Sequence, residues 1–258
     1  MRPIGIVLLL AAAAAGLPAA AILIRADRND SEYLEMASKY TSSVAIGIPG
    51  GGEGVLIAPR WVLTSAQVGS ALREMKSLPT LTFAGRGDDI EDVLVYPTWR
   101  PGTPSSDLAL VHLKRAVRGV KPTRLYKPDD EGGRAVVIVG HGATGKIGAE
   151  PPTNDGKARA AINTVDRVSP KVLTLLVKKP EEASDLQGAL SPGDRGGPAY
   201  IQEKDDLFVA GIAIGPDDAP GSTAQLYTRV SAFVPWIEST ILKAAQDELR
   251  EQLDTPGS

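Results

Sequence analysis

The stretch SPGDRGGPAY, from Ser191 to Tyr200, decides the fold. Three glycines and two prolines in ten residues mark a tight, irregular loop, because glycine accepts backbone angles that other residues avoid and proline fixes its own. A predicted strand, Pro198–Gln202, follows at once. The centre of the loop carries a carboxylate and a guanidinium, Asp194 and Arg195. What an arginine does in this turn depends on the rest of the chain.

The composition indicates a globular β-protein. The chain has 258 residues, and its 27 glycines and 20 prolines imply many turns, which favours an all-β fold. A net charge of −3 without a lysine or arginine stripe gives nucleic-acid binding little support. There is no cysteine, and the only histidines are His112 and His141. The sequence therefore excludes disulfides and thiolate chemistry and predicts neither a metal site nor an organic cofactor.

Residues 1–21 have the pattern of a secretory signal peptide. One positive charge precedes an apolar run, and the small residues of Ala19–Ala21 offer a cleavage site that would make Ile22 the first mature residue. The alternative is an uncleaved membrane anchor, because residues 3–24 carry no charge and are long enough to span a bilayer. Both interpretations place the remaining chain outside the cytoplasm, as a secreted, periplasmic or membrane-anchored protein.

Residues 22–41 are polar and charged and form a predicted N-terminal lead-in. From Ser42 onward, short apolar runs broken by turn residues predict two groups of six strands, separated by a polar connector at residues 118–133. The first group is Ser42–Ile48, Gly54–Ile57, Trp61–Thr64, Leu81–Ala84, Ile90–Tyr96 and Leu108–Leu113. The second group is Ala135–Val139, Ala158–Val165, Val172–Val177, Pro198–Gln202, Leu207–Ile214 and Gln225–Arg229.

The C-terminal region has a helical period. Apolar residues recur at helical intervals as far as Leu253, and Ser231 is a candidate N-cap, so we predict one helix from about Ala232. The β-domain then spans residues 42–241, with the first turns of the helix packed on it. Residues 242–258 are mostly polar and are predicted to be a solvated helix end and tail.

Six segments, in this order, resemble the chymotrypsin/trypsin-like serine proteases and together cover residues 42–240. They are GEGVLIAPRWVLTSAQV (52–68), SSDLALVHL (105–113), IVGHGATG (138–145), SPGDRGGPAY (191–200), VAGIAIGP (209–216) and LYTRVSAFVPWIEST (226–240). The resemblance implies two perpendicular six-stranded antiparallel β-barrels, a cleft between them and a C-terminal helix.

The resemblance also implies a catalytic triad, of which one member is retained. Such enzymes use a serine nucleophile, a histidine general base and a buried aspartate that orients the histidine. The matching positions are Arg195, Gln67 and Asp107. A guanidinium stays protonated and is not a nucleophile, and a neutral amide does not accept a proton near neutral pH. Neither His112, on the strand that follows the aspartate, nor His141, expected far from the cleft, is placed to replace the base.

Positions that bind substrate in the family depart from its pattern as well. Ala189 would form the base of the specificity pocket, which argues against selection of Lys or Arg side chains. Ile214 replaces a serine and Pro216 replaces a glycine, so one backbone donor to an extended peptide is missing. Gly193 and Arg195 could still supply an oxyanion-hole-like pair of backbone N–H groups.

The partners of the two charged residues in the loop follow from the same resemblance. In the family, the residue matching Asp194 pairs with the N-terminal amine created on activation, so an Ile22–Asp194 pair is a hypothesis for this chain. Gln67 is expected to reach Asp107 through its amide. Arg195 is expected to pair internally with Asp107 or Asp194, or alternatively to bind a carboxylate of a partner.

These substitutions predict a secreted, catalytically inactive protease homologue that binds a protein or peptide. One alternative is an active endopeptidase with a rearranged site, in which Ser191 or Ser65 is the nucleophile and an unusual group is the base. Another is a structural or regulatory protein that uses the end of the terminal helix, residues 244–258, as its contact surface.

Overall fold

The computed structural model describes residues 22–149, 153–191 and 193–254, so the predicted signal peptide, residues 1–21, lies outside the described residues. All twelve predicted strands are present, most with shifted ends, and the all-β fold with a C-terminal helix is confirmed. The strands are β1 (Leu23–Ile24), β2 (Ser43–Ala45), β3 (Glu53–Ala58), β4 (Trp61–Thr64), β5 (Thr80–Phe83), β6 (Arg86–Val95), β7 (Ala109–Leu113), β8 (Arg124–Leu125), β9 (Ala135–Gly140), β10 (Ala143–Lys146), β11 (Thr153–Asn154), β12 (Arg159–Thr164), β13 (Arg167–Val168), β14 (Val172–Leu176), β15 (Gly188–Ala189), β16 (Pro198–Glu203), β17 (Asp206–Pro216) and β18 (Ala224–Arg229). The helices are α1 (Asp30–Ala37), α2 (Ala66–Glu74) and α3 (Val234–Asp254), with a 3₁₀ turn at Val230–Phe233 before α3.

Each half of the chain forms one barrel-like antiparallel sheet. The first has the order β2-β3-β4-β7-β6-β5, and the second has the order β12-β9-β16-β17-β18-β14-β13, with β8 paired to β17. Alternation along the strands fills the barrels: on β5, Leu81 and Phe83 are buried while their neighbours are exposed. The two-residue strands β8 and β13 add to the six predicted strands of the second half.

A cluster of buried residues joins the two barrels and the terminal helix. Val55 and Leu110 come from the first barrel, Tyr200 and Ile212 from the second, and Ile237 from α3. All five are fully buried. Because both halves bury apolar surface in this shared cluster, the junction between them is held in place, and the loops that meet there can form one site.

The N-terminal segment packs on the core of the second barrel through a separate four-stranded sheet, β11-β10-β1-β15. β1 pairs in parallel with β10 and antiparallel with β15, and Ile22 has no exposed surface. The Tyr33 hydroxyl, also buried, donates to the carbonyl of Gln187 at 3.0 Å and accepts from the Arg25 N–H at 3.2 Å. These long-range contacts fix a stretch whose polar composition did not predict burial.

The helices differ from the sequence predictions in their starts. Ser231 does not cap α3, because its Oγ donates to the Glu131 carboxylate at 2.6 Å and a 3₁₀ turn precedes the helix. The end of α3 leaves leucines exposed, yet Glu248 binds Arg60 of the first barrel at 2.8 Å. The helix α2, which was not predicted, is capped by Ser65, whose Oγ accepts from the Val68 N–H at 3.2 Å. In the described part of the chain, no helix is long and apolar enough to cross a membrane.

Candidate active-site cleft

The loop that carries Arg195 is fixed against the first barrel by glycine. Gly196 has φ +85°, and a Cβ there would lie 2.2 Å from the Glu53 carbonyl oxygen and 2.3 Å from Thr64 Oγ1. The Glu53 N–H donates to the Arg195 carbonyl at 2.8 Å. Only glycine permits this close approach. The loop is therefore held against the first barrel, and the position of the Arg195 backbone is fixed.

The same turn holds two backbone donors without acceptors. Gly193 has φ +103°, and neither its N–H nor that of Arg195 donates a hydrogen bond to a residue that the structure describes. The neighbouring N–H groups are used within the protein, since Gly196 donates to the Ala213 carbonyl at 2.8 Å. Within the described residues, the two N–H groups that the resemblance places in an oxyanion hole therefore have no acceptor.

The Arg195 side chain crosses from one barrel to the other. Its Nη1 donates to Oε1 of Gln67, on α2, at 2.5 Å. Its Nη2 lies 3.4 Å from the position that a Cβ on Gly215 would take, so the guanidinium rests on the backbone of β17. Among the described residues, Arg195 forms no ion pair, and the expected internal pairs with Asp107 and Asp194 are not formed.

Asp107 is buried beneath this bridge. Its Oδ1 accepts the backbone N–H of Gln67 at 2.9 Å, so the glutamine contacts the aspartate through its backbone, not through its amide as expected. Burial raises the pKa of Asp107 to about 6, opposed by the backbone N–H of Gln67 and by the charge of Arg195. Among the described residues, neither histidine contacts the retained aspartate, since His112 faces Glu91 and His141 faces Glu53.

A cavity of about 580 Å³ lies between the barrels and brings together five residues predicted from the sequence: Gln67, Asp107, Arg195, Ile214 and Pro216. The sequence did not predict the other lining residues, which include Glu74, Trp99, Asp217 and Asp218. These four stand on loops and at a helix end outside the six segments that resemble the family, and the only sequence signal is the adjacent pair of acids after Pro216.

Ala189 and Asp194 lie below the cleft rather than on its wall. Ala189 is buried in β15 opposite Leu23 of β1. Asp194 is fully buried; its Oδ2 accepts the Ser191 N–H at 2.9 Å, and its Oδ1 has no hydrogen-bond partner in the described structure. Burial and then the nearby Glu53 carboxylate raise the pKa of Asp194 well above its usual range. An acceptor left without a donor at such a depth is costly.

The sequence did not predict the contact between buried Glu53 and half-buried His141, which lies outside the cleft cavity. Glu53 Oε2 lies 2.8 Å from His141 Nδ1, and its Oε1 accepts the His141 backbone N–H at 2.7 Å. Burial alone would lower the pKa of His141, but the Glu53 carboxylate outweighs burial and the pKa is raised. Both residues line a second cavity of about 270 Å³ together with Gly193, on the other side of the Arg195 loop.

His112 belongs to a polar cluster at the end of α3. Its Nδ1 lies 3.2 Å from Glu91 and its Nε2 lies 3.4 Å from Glu248, and the three potential metal-ligand atoms lie within 4.8 Å of one another. Arg60 donates to both carboxylates, at 2.5 Å and 2.8 Å. Arg60 offsets part of the charge of these two acids, and the cluster joins α3 to the first barrel.

The serines considered as replacement nucleophiles are buried. Ser65 has no exposed surface and its Oγ caps α2. Ser191 is 3% exposed and its Oγ donates to Asp194 Oδ2 at 3.2 Å. Neither lines the cleft cavity.

Comparison with known proteins agrees with this architecture. The family model described as Trypsin matches residues 34–237, most of the chain. Granzyme B of Rattus norvegicus is 25% identical over 236 residues, covering 82% of this chain and 86% of the granzyme. The protein belongs to the trypsin family of chymotrypsin-like proteins, whose members are generally secreted.

Proposed function

We propose that this chain is a catalytically inactive member of the trypsin family that binds a segment of a protein or peptide in the cleft between its barrels. The observation that carries the proposal is the contact between the Arg195 guanidinium and the Gln67 amide, at the two positions where the family has its nucleophile and its base. Neither group can transfer a proton in the way that acyl transfer requires.

None of the two serines and two histidines considered as replacements supports the chemistry of a protease at this cleft. The candidate serines, Ser65 and Ser191, are buried and hydrogen-bonded. His112 faces Glu91 and Glu248, and His141 faces Glu53 on the far side of the loop. The contacts of these two serines and two histidines leave no nucleophile–base pair among them, which supports the proposed lack of activity.

Arg195 gives the cleft a group that can bind a partner. A guanidinium has five N–H donors, and Arg195 uses one of them, through Nη1, within the described chain. A carboxylate accepts two parallel N–H bonds from such a group. We therefore propose that the partner presents a carboxylate to Arg195, as an acidic side chain or as a chain terminus.

We propose further that the protein is exported and secreted or periplasmic, with residues 1–21 removed as a signal peptide. The uncleaved membrane anchor remains the alternative. Sequencing the N-terminus of the exported protein separates the two: a start at Ile22 supports export and cleavage, and a start at Met1 supports the anchor.

The test of the proposed function combines a covalent probe with a restored site. A fluorophosphonate probe and a mixture of peptide substrates should give no labelling and no cleavage with the wild type. The double variant Gln67→His, Arg195→Ser should give labelling, while Arg195→Ser alone, as the matched control, lacks a base and should react far more slowly. Stoichiometric labelling of the wild type would instead support the rearranged endopeptidase.

Binding is measured with the same proteins. In fluorescence polarisation, the wild type should bind peptides from a random library. The Arg195→Gln variant should bind them more weakly, because the glutamine amide lacks the positive charge of the guanidinium. Absence of any peptide binding that depends on the cleft would contradict the proposal.

A further inference from the structure

The charges around the cleft cavity are uneven. Glu74 lies at the end of α2 in the first barrel, and Asp217 and Asp218 follow β17 in the second, so carboxylates stand on both walls. Among the described residues, none of the three forms an ion pair; Asp217 accepts only the Ser222 hydroxyl, at 2.8 Å. Arg195 is the one cation among the described residues that line the cavity.

This arrangement disfavours a partner that brings only negative charge. Three carboxylates without cations repel one another and any further anion that enters the cavity, and the wall carries more negative than positive charge even with Arg195 included. A cation placed between the walls would relieve that repulsion. Trp99, half-buried on the same wall, adds an aromatic face that attracts Lys and Arg side chains.

We propose that the cleft selects a peptide segment in which a basic side chain stands next to a carboxylate. The basic group lies between Glu74 and the Asp217–Asp218 pair, and the carboxylate binds Arg195. This inference rests on the proposed function, because it names the partner of the same cleft.

The dimensions and the chemistry of the cleft fit both groups. The cavity, of about 580 Å³, is large enough for a long basic side chain and an adjacent carboxylate. The apolar residues Ile214, Pro216 and Leu226 line the same cavity, and they can cover the methylene stem of the basic side chain. Selection of the basic side chain then depends on Glu74, Asp217 and Asp218, which we call the rim acids. Binding of the carboxylate depends on Arg195.

The test uses five labelled hexapeptides and four proteins, which are wild type, Arg195→Gln and two double variants. Four of the peptides carry Lys or Gln at the penultimate position and end in a free carboxylate or an amide, so that they separate the contribution of the base from that of the terminus. A fifth peptide with an internal Lys-Glu pair and an amidated end tests an acidic side chain as the source of the carboxylate. Affinities are measured by fluorescence polarisation at low salt and at 0.5 M salt (roughly a 4 Å screening length).

The expected result is a Lys preference that the rim acids create. The Lys peptide should bind wild type about tenfold more tightly than the Gln peptide, which corresponds to about 1.4 kcal/mol, and high salt should reduce the ratio. The double variant Asp217→Asn, Asp218→Asn should lose most of this preference. The matched double variant Glu181→Gln, Glu182→Gln, at exposed acids away from the cavity, should keep it.

The outcomes distinguish this inference from the proposed function. Equal affinity for Lys and Gln peptides, with binding still lost in Arg195→Gln, would overturn the charge selection and leave the peptide-binding cleft standing. Absence of binding by every peptide would overturn both. A Lys preference that persists in the Asp217→Asn, Asp218→Asn variant would also overturn the inference, because another surface would then be the source of the preference.

Discussion

Replacing Asp194 by asparagine tests whether an N-terminal amine reaches the loop that carries Arg195. Asp194 is fully buried, and its Oδ1 has no partner in the described structure. Ile22 is also fully buried, and both residues approach the same point: a Cβ on Gly140 would lie 2.2 Å from Asp194 Oδ1 and 3.5 Å from Ile22 Cδ1. A chain that begins at Ile22 would therefore place its amine in the neighbourhood of the unpartnered oxygen.

The change in the free energy of unfolding depends on whether the Asp194 carboxyl group is paired with an amine. If the Ile22 amine pairs with Asp194, the substitution removes one member of a buried ion pair and lowers the free energy of unfolding by about 3–5 kcal/mol. If the chain is extended before Ile22, no amine is available, and burial raises the pKa of Asp194 well above its usual range, so the charged form of the carboxyl group is already disfavoured. Asparagine is then a close substitute, and the change should stay within about 1 kcal/mol.

The assay is urea unfolding of four proteins at pH 7: wild type and Asp194→Asn, each starting at Ile22 or at an added Met-Ala pair. Asp185→Asn, which removes an exposed carboxylate, is the matched control and should leave the stability of both backgrounds nearly unchanged. An amine that gains a carboxylate partner has a raised folded-state pKa. Its stabilisation is therefore complete below ~pH 8, the value of a free amine, and is lost as the pH rises through the folded-state pKa.

An equal effect of Asp194→Asn in the two backgrounds would refute the reasoning, whatever its size. So would a stabilising effect in the protein that starts at Ile22, because an ion pair cannot be lost without cost when its other member stays buried.

Three further predictions concern titratable groups outside the loop. Asp107→Asn should raise the free energy of unfolding at pH 7 by about 3 kcal/mol. The reason is that a carboxyl group with a folded-state pKa of about 6 destabilises the fold increasingly as the pH rises from ~4 to 6. Equal stabilities of the two proteins in urea unfolding at pH 7 would contradict this. Glu53→Gln should lower the pKa of His141 in an NMR titration. It should also remove the stability that the wild type has below ~pH 6.5 and loses as the pH rises through the raised folded-state pKa of His141. An unchanged pKa would show that the Glu53 carboxylate does not cause the shift. Glu248→Gln should lower stability by less than about 1 kcal/mol, since its pair with Arg60 is partly exposed, and a much larger loss in thermal unfolding would mean that the end of α3 carries more of the fold.

The twelve strands and the family positions were predictable because local patterns encode them. Apolar runs between turn residues mark strands whatever their partners, and the Gly196–Pro198 turn constrains its own backbone. The matching segments occur in the family's order, which located Gln67, Asp107 and Arg195 before any distance was known. The chemistry that these three residues lack also follows from residue type alone.

Contacts between distant segments were not predictable in this way. The position of β1, with Ile22 and Ile24 buried, depends on β10 and β15, more than a hundred residues later in the chain. Arg159 is 1% exposed and binds Asp30 and Asp155, which no local pattern announces. The helix α2 was missed because its apolar residues follow the helical period for only nine residues.

The sequence by itself determined that this is a trypsin-like β-protein without a serine nucleophile or a histidine base at the expected positions, because segment order and residue type are properties of the chain. Only the tertiary structure decided what Arg195 contacts. Its guanidinium lies on Gln67 and over Gly215 instead of pairing with Asp107. The physical reason is that hydrogen bonds and burial depend on where separate loops meet, and that position is set by the packing of the two barrels against each other.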